Sequence, residues 1–101
     1  MVNLTRDQLI NFIKANKQYL KSEYHIVEIG LFGSFARNEQ NTGSDIDLVI
    51  EFDNSIKNIY EQKRKVRDFF KKNCNRETDI TRKKYLKPRI KQQILKDVIY
   101  V

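Results

Sequence analysis

Two aspartates separated by a single residue, Asp45 and Asp47, open the strand-forming run "SDIDLVIEF" at residues 44–52. Residues i and i+2 of a β-strand point to the same side, about 6.6 Å apart along the backbone. Two carboxylates held in this way repel each other and cost desolvation unless cations neutralise them. Hard oxygen ligands of this kind suit Mg²⁺, which takes one or two carboxylates together with substrate phosphates. Two such ions about 3.5–4 Å apart clamp the attacking and leaving oxygens of a phosphoryl or nucleotidyl transfer. Taken alone, Asp-x-Asp also describes an ordinary solvated strand end.

A second feature precedes the pair. Gly33 ends a β-rich run, and Ser34 is placed to cap a short helical turn through Phe35, Ala36 and Arg37. A helix N-terminus presents free N–H groups and the positive end of a dipole, which suits phosphate. Glycine lets phosphate approach the backbone closely, and the serine hydroxyl adds a donor. Arg37, one turn later, adds charge. No Gly-Lys-Ser/Thr follows, so this is not a P-loop. In isolation an ordinary tight turn fits the step equally well.

The elements that must position these residues follow from periodicity. Thr5 and Gln8 read as a capping box opening an amphipathic helix over roughly 6–21, with Leu9, Ile13 and Leu20 on one face. "HIVEIGLF" (25–32) and "DIDLVIEF" (45–52) read as strands, the second with Ile46, Leu48, Ile50 and Phe52 on one face and Asp45, Asp47, Val49 and Glu51 on the other. Asp53 to Ser55 break that strand and can cap a long helix over roughly 56–73. "RETDITRK" (76–83) is a third short strand, "YLKP" (85–88) a turn, and Pro88 opens a last helix through about Lys96. The fold class is α/β (α+β), a small mixed β-sheet flanked by helices.

Composition limits the class of protein. At 101 residues, 40% hydrophobic and 33% charged, one globular domain spanning 1–101 is expected. No apolar run approaches a bilayer span and no secretory signal is evident, so the expected setting is cytoplasmic and membrane-free. Cys74 is the single cysteine, and it reads as a small buried apolar residue. His25 reads as structural or exposed. The tyrosines at 60, 85 and 100 read as core or interface aromatics. Residues 1–56 carry a net charge of −3 and residues 57–101 of +10. The basic half attracts polyphosphate, an acidic protein or, less favoured, nucleic acid. Its run "KRKVR" (63–67) is most simply one charged face of a helix.

Gly33-Ser34, ten residues and then Asp45-Ile46-Asp47 together form Gly-Ser-x10-Asp-x-Asp. This arrangement resembles the signature of the nucleotidyltransferase superfamily related to DNA polymerase beta. "LFGSFAR…SDIDLVIEF" is similar to its minimal nucleotidyltransferase (MNT) domains, many of them antitoxin halves of HEPN–MNT pairs. The ending "TDITRKKYLKPRIKQQILKDVIYV" resembles the family's close. Asn38 stands where the family usually has glycine, and asparagine tolerates the left-handed backbone such a position needs.

The resemblance implies specific roles. Asp45 and Asp47 would ligate two Mg²⁺ ions, Asp79 would be a third metal-binding carboxylate that activates the acceptor hydroxyl, and Gly33 and Ser34 would hold the β- and γ-phosphates of ATP. The implied activity is transfer of AMP to a tyrosine of a HEPN-type ribonuclease toxin. Spacing alone leaves Glu77 and Asp79 equivalent on one strand face, and an ion pair of Asp79 with Arg76 or Arg82 is the structural alternative. Glu51 shares the aspartate face but lies too far along the strand to reach the same ions. Two other functions remain open at this stage: a binding module that neutralises its partner by contact, and a nucleotidyltransferase of a small molecule. So short a chain needs a partner or a second copy to complete a cleft, so a hetero-complex or homo-oligomer is expected.

Overall fold

The computed structural model describes residues 4–101. The capping box forms as expected. Thr5 Oγ1 accepts from the Gln8 amide at 3.1 Å, and Gln8 Oε1 accepts from the Thr5 amide at 3.0 Å. The helix it starts is not continuous to residue 21. It divides into α1 (Arg6–Ala15) and α2 (Lys17–Tyr24) at Asn16, whose φ of −105° and ψ of 6° leave the helical region. Asn16 Nδ2 donates to the Phe12 carbonyl at 2.8 Å, a side chain competing with the helical ladder. His25 ends α2 in the left-handed region, and its Nδ1 lies 3.2 Å from Asp53 Oδ2, the structural role expected of it.

The chain continues through β1 (Ile26–Phe32), α3 (Gly33–Ala36), β2 (Ile46–Phe52), α4 (Ile59–Cys74), β3 (Thr78–Thr81), a 3₁₀ turn (Lys83–Tyr85), α5 (Pro88–Asp97) and β4 (Ile99–Tyr100). The sheet order is β3-β2-β1-β4, with β2 and β3 parallel and the other two pairings antiparallel. β4 has no counterpart in the sequence reading, because two residues are too few to show a period. Gly30 admits it: a Cβ there would come within 2.7 Å of Val98 Cγ2.

α4 is capped by Asn58, whose side chain accepts from the Glu61 amide, rather than by the 53–55 cluster, where Asp53 caps its own turn. Its stripe Val66, Phe70 and Cys74 is buried with Leu9, Ile13 and Leu20 against Ile46, Leu48, Ile50 and Phe52 of β2. The thiol of Cys74 is therefore in the core, and burial pushes its pKa up. The tyrosines at 60, 85 and 100 are not core residues, being 82%, 70% and 45% exposed. Among the described residues, no helix is long and apolar enough to cross a membrane.

Candidate active site

Parallel pairing of β2 with β3 makes Asp47 and Asp79 register partners, with Asp45 just before β2. On the other side of β2, Phe32 pairs with Asp47, so the chain leaving β1 passes directly beside that aspartate. The next residue is Gly33, with a φ of +74°. A Cβ at this position would fall onto Asp47 Oδ2 and stand 2.9 Å from its Cγ. Glycine is thus required twice, by its left-handed backbone and by the carboxylate lying against it. The two halves of the sequence motif meet in space.

The aspartates also meet electrostatically. Asp47 is half-buried, and burial pushes its carboxyl above the ordinary value. The negative charges of Asp79 and then Asp45 push the same way, while Arg37 opposes them. None of the three aspartates takes part in an ion pair among the described residues. Of the two positions that spacing left equivalent, Glu77 pairs with Lys71 at 3.1 Å, while Asp79 is the register partner of Asp47. The ion pair considered as the alternative for Asp79 does not form. Arg82 lies 3.9 Å from Glu51, which is thereby engaged away from the aspartates.

Three carboxylates without a cationic partner, one of them held above its usual pKa, are a donor set that fits hard divalent cations. Among the described residues, no three Asp, Glu, His or Cys side chains are gathered tightly enough to enclose an ion.

Ser34 does not cap the short helix. α3 begins at Gly33, with extended Phe32 as its cap residue and no side-chain cap bond. Arg37 closes α3, and its guanidinium is held by Glu39 at 3.1 Å and Asp97 at 3.5 Å. A cavity of about 330 Å³ opens beside it, lined by Phe32, Gly33, Arg37, Gln93, Ile94 and Asp97. Asn38 adopts a φ of 60°, the left-handed conformation anticipated for it. A larger groove of about 550 Å³ between α2 and α4 contains none of these residues.

Arg76 is a supporting residue that sequence reasoning missed. It is only 6% exposed, and its Nη1 donates to the carbonyls of Asn41 at 3.0 Å and Ser44 at 2.9 Å. Its guanidinium also lies 5.4 Å from the centroid of the Phe35 ring. One buried cation therefore ties the turn before Asp45 to the helix that follows Gly33. The cationic neighbour of a strand was the available signal, and it pointed to the wrong acceptor.

The β-sheet thus brings an Asp-x-Asp strand, a neighbouring aspartate and a Gly-Ser turn to one place. The model of the nucleotidyltransferase domain family matches residues 9–101, and the chain belongs to that family. It is a nucleotidyltransferase. A candidate protein adenylyltransferase of Methanocaldococcus jannaschii is 34% identical over 98 residues, covering 96% of this chain and 98% of the relative. The protein adenylyltransferase MntA of Thermococcus cleftensis is 28% identical, with both chains covered in full. A solved structure described as a candidate minimal nucleotidyltransferase superposes with a TM-score of 0.79 at 23% identity, covering 98% of each chain. A toxin–antitoxin crystal structure with AMP-PNP superposes at 0.64 and 18% identity, covering 96% of this chain and 72% of that one. These two likenesses show the fold.

Proposed function

We propose that this chain transfers AMP from ATP to a protein hydroxyl, a tyrosine of a cognate HEPN-type ribonuclease toxin, and so acts as the antitoxin. The observation that carries the reading is the close approach of Gly33 to Asp47, which joins the Gly-Ser turn to the acidic strand. The names of the two relatives and the AMP-PNP bound in the toxin–antitoxin neighbour support it.

In this reading Gly33 and Ser34 hold the β- and γ-phosphates, and Arg37 exchanges a carboxylate partner for phosphate. Asp45, Asp47 and Asp79 are the residues that would hold Mg²⁺, which when bound supplies charge stabilisation for the transferring and departing phosphates. The tyrosine oxygen attacks the α-phosphorus in line, its proton passing to the Asp79 carboxylate. The bond from the α-phosphorus to the bridging oxygen breaks, and pyrophosphate leaves. The acceptor protein, or a second copy of this chain, completes the cleft.

The test incubates the chain with labelled ATP, Mg²⁺ and the HEPN-type protein encoded beside it. Label is expected on a tyrosine of that partner and absent with the Asp45→Asn, Asp47→Asn double variant, which remains folded. Full labelling by the double variant rejects the site assignment. Neutralisation of the toxin without label favours a contact-only antitoxin.

A further inference from the structure

α5 is amphipathic, yet it buries no residue, unlike every other α-helix among the described residues. Positions 90, 93, 94 and 97 fall on one helical stripe. Gln93, Ile94 and Asp97 of that stripe line the cavity beside Gly33 and Arg37. Ile90 carries the stripe out of the cavity into solvent, 47% exposed, and Tyr85 in the turn before the helix is 70% exposed. An apolar side chain presented this way next to a reaction site has contacts left to make.

The same segment is strongly cationic. Residues 82–96 contain seven Lys and Arg and no Asp or Glu. Arg82 and Lys83 reach Glu51 and Glu28, whereas Lys84, Lys87, Arg89, Lys91 and Lys96 take part in no ion pair among the described residues. Clustered charge of one sign steers a partner of the other sign.

We infer that the 3₁₀ turn and the exposed side of α5 form the docking surface for the acceptor protein, whose contacting face is acidic around an apolar side chain that packs on Ile90. This rests on the proposal that the acceptor is a protein. A nucleic acid would neutralise the cations, but its phosphate backbone has nothing apolar to bury against Ile90. A partner seated here borders the cavity beside Gly33 and so lies at the edge of the reaction site.

The test compares wild type with Ile90→Ser and with the charge reversal Lys87→Glu, Arg89→Glu. Affinity for the HEPN-type partner is measured by calorimetry at low and high salt, KM for that partner in the labelling assay, and AMP-PNP binding without partner. Each variant is expected to lose at least tenfold in partner affinity and raise the partner KM comparably, with AMP-PNP binding unchanged. The salt dependence should shrink in the charge reversal alone. Partner affinity and KM unchanged in both variants overturn the docking surface. So does a neutral Ile90→Ser accompanied by loss of poly(U) RNA binding in the charge reversal, because the cations then serve nucleic acid. A wild-type chain that neither binds nor labels the partner overturns the acceptor reading itself, a different failure from the first.

Discussion

Asp47 and Asp79 are register partners on the parallel β2–β3 ladder, and the charge of Asp79 helps raise the pKa of Asp47. The pair is coupled before any substrate arrives. Replacing Asp79 by Asn should therefore act on both residues. Labelling activity is expected to fall at least a hundredfold, about the lower range of a positioned proton acceptor. The Asp47 carboxyl should meanwhile move back toward its ordinary value, read from its ¹³C chemical shift across a pH titration. Loss of activity with an unmoved Asp47 titration would contradict the coupling.

Gly33→Ala tests the meeting of turn and strand. A left-handed backbone costs an alanine about 1–3 kcal/mol, and the new methyl would displace the Asp47 carboxylate. The melting temperature should drop by at least about 4 °C. The kcat should fall on the order of a hundredfold, since small displacements of reacting groups cost that much. A variant as active as wild type would mean that the carboxylate seen against Gly33 is not placed for chemistry.

Arg76 makes a separable prediction. Arg76→Lys keeps the buried charge but loses the guanidinium whose Nη1 serves both carbonyls and which lies over the Phe35 ring. Leaving one carbonyl unpaired should cost about 1–3 kcal/mol. Because those carbonyls belong to the turn before Asp45, the Mg²⁺ concentration needed for half-maximal activity should rise several-fold, while KM for ATP changes little. A purely structural arginine would lower the melting temperature and leave the Mg²⁺ requirement of the folded protein alone.

Much of this was readable in the residues, and the exceptions share a cause. The alternation of β2, the Thr5–Gln8 box and the left-handed Asn38 depend on local pattern, and all three appear in the structure. Gly33 and the aspartates were legible as a spacing, although their contact needs the β1–β2 register to exist. Asn16 divides the first helix because its side chain outcompetes a backbone bond, which hydrophobic periodicity does not record. Arg76, β4 and the exposed face of α5 depend on what the chain brings near from far away. In a sequence they are, respectively, one more cation, a tail and an ordinary amphipathic helix.

The last prediction concerns pH. The Asp47 carboxyl sits above its ordinary value of 3.8, so the folded state binds that proton more tightly than the unfolded chain does. The stability gained is fully present below pH 3.8 and lost as pH rises through the folded value, so at neutral pH the ionised group destabilises the metal-free protein. Asp53 works the other way. Bonds from Ser55 hold its pKa low, so its contribution is present above the ordinary value and lost as pH falls through the lowered one. Comparing wild type with Asp47→Asn cancels Asp53 and isolates Asp47. At pH 7 without metal the variant should melt a few degrees higher, about 1 kcal/mol or less for a half-buried group. The gap should close as pH approaches 3.8. Adding Mg²⁺ at pH 7 should stabilise wild type and leave the variant nearly unmoved, because the carboxylate that repels its neighbours is the one a cation would bridge. Equal Mg²⁺ stabilisation of both proteins would place the ion away from Asp47.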